Sequence, residues 1–358
     1  MQFLQIIEYP YRVKLTNGIL LETGVRFIFR MDASPKIGVG HALRCVAIAE
    51  KLQESGFQSV FVGNTASIEW VDILINSIPG VQRFNFEDEF IIQGHYDILV
   101  IDSYSLASNS PFINSLPWKM TAAIVDESSP DYLVDVYIHP GPNYGWKLPK
   151  NAKPVNVLQG IDYVPIRKSI TSIQTREEIS SSNNVATIVG GGTDPNRFVE
   201  RLIPEIEQLT NDFEVRVFTS HQNLTSKNSN INFYAPSSGV EKSFSESNLV
   251  ISTAGTTVWE VASIGIPLGI AKAVENQRTN FEYFTSSGLA IEVGQFNGSR
   301  WKFEKEKLEL LFDSPNFRKK ISDKQKSLIG KNGLENLCHG LLNAAVTKLN
   351  LGKSDYAN

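Results

Sequence analysis

The sequence predicts an α/β protein of two doubly wound domains that face each other across a cleft, and three observations carry the prediction. Each half opens with the same order of strand, glycine loop and helix: residues 25–29 run into Gly38 and Gly40, and residues 185–189 run into Gly190, Gly191 and Gly192. Short apolar runs at 98–101 and 122–125 end in Asp102 and Asp126, the pattern of buried parallel strands with helices between them. A polar stretch, 169–184, is rich in Ser, Thr, Glu and Asn, lacks apolar periodicity and separates the halves. At 358 residues the chain is long for a single core and suits two.

In chain order, residues 1–24 form an N-terminal extension. Pro10 and the turn signal Asn17-Gly18 make it a loosely attached hairpin or a disordered segment. The first domain spans 25–168. Its first helix carries Leu43, Val46, Ala47 and Leu52 at helical spacing, with Gly56 as the residue that ends it. Asp102 and Asp126 stand at strand ends, where open α/β sheets bind ligands, as site residues or as simple turn formers, the second being the default. The linker 169–184 leads to a second domain, 185–345, and a polar tail, 346–358. Asp194 reads as the N-cap of a helix that Pro195 begins. Strands at 249–252 and 267–271 each run into a turn and a helix, the second through Glu275-Asn276-Gln277.

Composition excludes several classes. The 42% hydrophobic and 20% charged fractions are those of an ordinary globular chain. A formal net charge of -4 leaves no electrostatic footprint for nucleic acid. Cys45 and Cys338 are the only cysteines, too few for a disulfide framework or a thiolate metal site, and Cys45 falls on the packed side of the first helix. The chain has no apolar run of about 18 residues, so no membrane span is expected. Its start lacks the basic region and small-residue cleavage site of a signal peptide, so a cytoplasmic location is expected. The first glycine loop is not the dinucleotide fingerprint. Leu43 stands where a third glycine or alanine belongs, and no acid closes a second strand near 57–62. A nicotinamide is therefore disfavoured, and no cofactor is expected. The sequence has no Asp-x-Asp, and Glu87-Asp88-Glu89 reads as a solvated helix face, so no metal is expected. His95, His139, His221 and His339 have no partner at ligand spacing and read as surface or structural.

Chemistry concentrates between Arg30 and Arg44. Gly38 and Gly40 let the backbone turn tightly and approach a ligand with no Cβ in the way. The following helix points free N–H groups and its positive dipole end into the same space, which suits phosphate or a developing oxyanion. His41 brings a titratable imidazole there and is the best catalytic candidate, the alternative being a polar helix cap. In the second half, Ala254-Gly255-Thr256-Thr257 offers backbone N–H and hydroxyl donors for a diphosphate. Glu260, one turn on, can hold the two hydroxyls of a ribose. The alternative is a capping box, in which Thr256 or Thr257 caps the helix and Glu260 completes the box.

Six ordered motifs resemble the pseudaminic-acid-pathway nucleotide-sugar hydrolases, which are similar in fold to the glycosyltransferase that builds the lipid-linked peptidoglycan precursor. They are Arg30 with Asp32, Ile37 through Arg44, Ile101-Asp102-Ser103-Tyr104, Gly191 through Asp194, Ala254 through Glu260, and Glu275-Asn276-Gln277. Residues 160–167 match a segment leading out of the first domain, and the whole likeness spans residues 25–345. The resemblance implies a GT-B-like fold with a sugar-binding, catalytic first domain and a UDP-binding second one. It implies metal-independent hydrolysis, at the anomeric carbon, of a UDP-linked 2,4-diacetamido-2,4,6-trideoxy sugar, releasing UDP and free sugar for nonulosonic (pseudaminic) acid biosynthesis. His41 is the implied base that activates water, and Tyr104 the residue that holds the sugar and that water. Glu260 would take the ribose, the turn at Ala254, Gly255 and Thr256 the diphosphate, and Asn276 and Gln277 the sugar–phosphate side. Arg30, Asp32, Gly38, Val39, Gly40, Arg44, Gly191 and Thr193 complete the implied binding set. The chain departs from the family in its extension and tail. It also departs at Ser103 and Ser105, which stand where His and Gly are frequent, a change that bears on which sugar is bound. Two other readings compete: an inverting GT-B UDP-sugar glycosyltransferase that uses an acceptor hydroxyl, and a non-catalytic nucleotide-sugar-binding protein. A monomer or weak oligomer is expected.

Overall fold

The computed structural model describes residues 12–14, 20–22, 25–34, 37–65, 68–87, 97–143, 145–173, 184–210, 212–221, 223–236 and 239–354. The extension supplies β1 (Arg12–Lys14) and β2 (Leu20–Glu22), which pair antiparallel with Val13 opposite Leu21. That is the hairpin alternative, although the Asn17-Gly18 turn itself lies outside the described residues.

The first sheet is built from β3 (Arg26–Met31), α1 (Gly40–Glu54), β4 (Gln58–Val62), α2 (Glu69–Asn76), β5 (Gln82–Phe84), β6 (Asp97–Asp102), α3 (Pro111–Asn114), β7 (Met120–Ile124), β8 (Val136–Pro140) and β9 (Asn156–Gly160). Its seven strands run parallel in the order β5-β4-β3-β6-β7-β8-β9. Phe27, Phe29 and Met31 pack on one face, while Ile28, Val60, Leu99 and Ile101 pack on the other. Burial on both faces is why these strands read as continuous apolar runs rather than alternating ones. The order reverses between β3 and β6, which opens a crevice at their carboxyl ends.

After α4 (Lys168–Thr171), the second sheet repeats the scheme with β10 (Val185–Val189), α5 (Phe198–Ile206), β11 (Glu214–Phe218), β12 (Ile231–Tyr234), α6 (Val240–Glu246), β13 (Leu249–Thr253), α7 (Thr257–Ser263), β14 (Leu268–Lys272), α8 (Arg278–Ser286), β15 (Ile291–Phe296) and β16 (Trp301–Phe303). Its order is β12-β11-β10-β13-β14-β15-β16, parallel except for the β15–β16 pair, with the reversal between β10 and β13. Helices α9 (Lys305–Asp313), α10 (Pro315–Leu328) and α11 (Gly333–Ser354) close the chain.

The domain limits differ from the sequence reading at both ends. Val164, Ile166 and Ile170 already pack in a core cluster of the second sheet. Leu334, Leu337, Leu341 and Ala345 of α11 return to the first sheet's core beside α1, so 185–345 is not one packed unit. Their spacing makes one apolar helix face, and the first domain is where it finds a matching surface. The two crossings touch: a Cβ on Gly333 would lie 2.2 Å from the Val164 carbonyl oxygen, so only glycine allows the approach. The expected polar tail is helical as far as Ser354, and Lys348 reaches Asp135 at 2.7 Å. The expected linker lies mostly outside the described residues.

Candidate active site

A cleft of about 900 Å³ separates the carboxyl ends of the two sheets and is lined from both. Val39 packs so tightly on the opposite glycine loop that a Cβ at Gly192 would sit 2.1 Å from its Cγ2. A Cβ at Gly40 would meet the Thr256 methyl at 3.5 Å, and Thr279 donates a hydrogen bond across the cleft to Glu127.

On the first-domain side, Gly38 takes the left-handed conformation (φ +94) that turns the chain into α1. Val39 is the N-cap of α1, and no side chain caps it, so the first-turn N–H groups remain available at the cleft. His41 is the second residue of that helix and is 4% exposed. Its Nδ1 meets Asp102 Oδ1 at 2.5 Å. Arg44, one turn on and on the same helix face, clamps the same carboxylate, with Nε at 2.9 Å and Nη2 at 2.7 Å. Burial alone would raise the Asp102 carboxyl, but Arg44 and His41 together hold it below the usual carboxylate range. An ionised Asp102 only accepts, so the proton on His41 sits at Nδ1 and Nε2 keeps its lone pair. Tyr104 stands edge-on to His41, with ring centroids 4.4 Å apart, and donates its hydroxyl to Asp126. Burial, then the nearby Asp126, push the Tyr104 phenol well above its ordinary range, so it stays protonated.

On the second-domain side, the turn after β13 presents Ala254, Gly255 and Thr256 to the cleft. Asn280 braces it by donating to the carbonyls of Ala254 and Gly255, and accepts from Trp259 Nε1 at 3.1 Å. Thr256 makes no side-chain cap, and Glu260 lies one position beyond the box position, so the capping box is not formed. Glu260 instead pairs with Arg167, Nε to Oε1 at 2.7 Å and Nη2 to Oε2 at 3.3 Å, while Arg167 Nη1 reaches Glu241 at 2.9 Å. Gln277 accepts from the Ala273 N–H at 2.9 Å, which holds the turn containing Asn276 against the cleft.

The glycine loop after β10 differs from the sequence reading. Asp194 does stand at the N-cap of a turn that Pro195 begins, but the turn is a single 3-10 stretch, Pro195–Arg197, and the Asp194 side chain makes no cap hydrogen bond to it. Asp194, Asn196 and Arg197 take positive φ values of 45°, 55° and 56°, and α5 begins only at Phe198. Asp194 Oδ1 accepts from the Val199 N–H at 3.1 Å, and the Asn196 amide donates to the Ala273 carbonyl at 2.7 Å, which together hold the strained turn.

Of the residues singled out from sequence, His41, Tyr104, Gly38, Val39, Gly40, Arg44, Gly191, Thr193, Ala254, Gly255, Thr256, Glu260, Asn276 and Gln277 all line this cleft. Arg30 and Asp32 do not. They pair with each other at 2.9 Å, Arg30 also reaches Glu87 at 2.6 Å, and Asp32 accepts from Ser103 and Ser105. Ser103 and Ser105 thus serve loop packing behind the cleft, and Glu87 is an ion-pair partner rather than a solvated acid. Sequence reasoning missed Arg167 and Asn280, read His139 as surface or structural, and left Asp102 and Asp126 as turn formers by default. Arg167 lay inside a matched segment, and Asp102 and Asp126 stood at the correct strand ends; no spacing rule pairs residues 61 positions apart, as His41 and Asp102 are.

No family model matches the chain. A curated Campylobacter jejuni protein, UDP-2,4-diacetamido-2,4,6-trideoxy-beta-L-altropyranose hydrolase, is 21% identical over 285 residues, covering 75% of this chain and 99% of that protein. Among solved structures, Acinetobacter baumannii MurG superposes with a TM-score of 0.57 at 16% identity, covering 88% of this chain and 98% of its own. The S. aureus MnaA–UDP co-structure gives 0.56 at 11% identity, covering 87% and 94%. The fold is thus GT-B-like, two α/β domains across a cleft.

Proposed function

We propose that this protein hydrolyses a UDP-linked sugar at its anomeric carbon, with His41 as the general base. The observation that carries the reading is the buried Arg44–Asp102–His41 relay at the floor of a cleft whose opposite wall is a glycine and threonine turn. A histidine whose Nδ1–H is held by an ionised carboxylate presents the lone pair of Nε2 to take a proton from water. The deprotonated water forms a bond to C1, the C1–O bond to the β-phosphate breaks, and that electron pair leaves with UDP. The Ala254 and Gly255 N–H groups are spent on the Ala271 and Thr253 carbonyls, so it is the N–H groups of Thr256 and Thr257 and of the first turn of α1 that meet the charge growing on the departing phosphate. Arg167 occupies one side of the Glu260 carboxylate; a carboxylate has about four acceptor directions, so the ribose diol can take those that remain. The acids that line the cleft are already engaged, Asp126 by Tyr104, Glu127 by Thr279, Glu241 and Glu260 by Arg167, and Glu275 by Lys272 and Arg278, which favours chemistry without a metal.

The 21% identity to a hydrolase of a UDP-diacetamido-trideoxy sugar supports that substrate class, and the motif resemblance implies a place in nonulosonic acid synthesis. A glycosyltransferase reading draws on one further feature. Trp70, Ile73 and Leu74 of α2 add an apolar wall to the same cleft, where an acceptor could rest. Incubating the protein with UDP-sugars and reading UDP release tests the proposal. Release without acceptor is expected; release only when an acceptor is added would favour transfer, and tight UDP binding with no release would favour a binding protein.

A further inference from the structure

His139 is the next-to-last residue of β8 and is 4% exposed, yet it lines the cleft beside Asp126 and Glu127. Trp146 stacks on its ring at 5.4 Å with an interplanar angle of 20°. Its Nδ1 is fully buried and has no hydrogen-bond partner among the described residues. A buried N–H without an acceptor is rarer and costlier than a buried lone pair, so the ring proton belongs on Nε2. Nε2 is not among the buried unpartnered atoms and has no protein partner among the described residues, so it is the ring nitrogen that reaches the cleft. Burial lowers the affinity of this imidazole for a second proton, against the pull of Glu127 and Asp126, so the ring is neutral near pH 7. His139 is therefore the reverse of His41: one presents an N–H to the cleft, the other a lone pair.

A neutral donor flanked by two carboxylates disfavours an anion and suits an uncharged oxygen. Val125 hydrogen-bonds beside it, from its N–H to the Ile138 carbonyl at 2.8 Å, and Pro140 follows it in the chain; both line the cleft and give the oxygen's neighbourhood an apolar surface. We infer that His139 donates a hydrogen bond from Nε2 to the carbonyl oxygen of an acylamino group on the bound sugar, and so selects acylamino sugars over simple hydroxylated ones. The inference rests on the UDP-sugar reading above.

Calorimetry with UDP, UDP-glucose, UDP-N-acetylglucosamine and a UDP-2,4-diacetamido-2,4,6-trideoxyhexose tests it, because each of the last three carries one more acetamido group than the one before, the last also lacking the 6-hydroxyl. The wild-type protein should gain about tenfold in affinity at one acetamido step, the worth of one hydrogen bond in a desolvated site. His139→Phe should lose that gain, with UDP affinity within about twofold of wild type. His139→Gln, whose amide N–H reaches a similar place, should recover much of it. UDP affinity also reports that each variant is folded. A gain that survives in His139→Phe, or a wild type with no gain at any step, overturns the role of His139 while leaving the nucleotide site standing. A wild type that does not bind UDP overturns the UDP-sugar reading itself, and this inference with it.

Discussion

In the proposed mechanism the His41 imidazole serves as base only because two other side chains fix its tautomer. Asp102 is fully buried, and burial by itself raises its carboxyl; Arg44 and His41 hold it below the usual carboxylate range, and its charge keeps the His41 proton on Nδ1. His41→Ala is expected to lower kcat by about two to four orders of magnitude with little change in UDP affinity. Asp102→Asn should cost a similar factor without touching substrate, since an amide can hold the ring in the wrong tautomer. Near-parental turnover in either, read by steady-state UDP release, would remove the relay from the mechanism. Glu260 makes a separate case at this scale. If its free acceptor directions hold the ribose, Glu260→Ala should weaken UDP by about 1.5–3 kcal/mol in calorimetry, the range for hydrogen bonds to charged groups. Unchanged UDP affinity would leave Glu260 only a partner of Arg167.

At the scale of elements, the cleft is made where each sheet reverses its strand order, and the turns there carry the irregular backbone. The loop after β10 holds three non-glycine residues at positive φ around a buried carboxyl. Burial pushes the Asp194 carboxyl up to about 6, with the Val199 N–H and His221 pulling against it. An unfolded aspartate titrates near about 3.9, so folding takes up a proton between those values. The group's stabilising contribution is therefore present in acid and lost as the pH rises through about 6. Asp194→Asn keeps an acceptor for the Val199 N–H and removes the buried charge. Relative to the parent, it should resist denaturant better at pH 8 than at pH 5; an equal difference at both would refute the assignment. This loop also shows where sequence signals end. Asp-Pro after glycines is a good local sign of a helix start, but the Ala273 carbonyl and Trp301, distant in the chain, hold Asn196 in a turn that delays the helix. The glycines, His41 and the 254–256 turn were legible because backbone shape and local spacing require them. Arg30 and Asp32 were misplaced because a motif match says nothing of which way a side chain points, and His139 was passed over because its unpaired nitrogen exists only in the folded chain.

For the whole molecule, function depends on two domains meeting in one register. The chain crosses at Val164 and returns at Gly333, side by side, and the far contact is Val39 against Gly192. A methyl at Gly192 cannot fit against Val39 without parting the domains, so Gly192→Ala should lower kcat/KM at least about tenfold, the weight of an overpacked contact. Val39 lies at the edge of the first core and the rest of both cores is untouched, so its denaturation midpoint should stay near that of the parent. Val39→Ala with Gly192→Ala should restore turnover; a double variant no better than the single would mean that this contact does not set the cleft. The central claim, attack by water on the anomeric carbon, is tested most directly by turnover of the UDP-diacetamido-trideoxyhexose in ¹⁸O-water with EDTA and no acceptor. The account predicts UDP release with no ¹⁸O in the UDP, because the C1–O bond breaks and the bridging oxygen leaves with the phosphate. Label in the β-phosphate, or no release until an acceptor or a divalent metal is added, would contradict it.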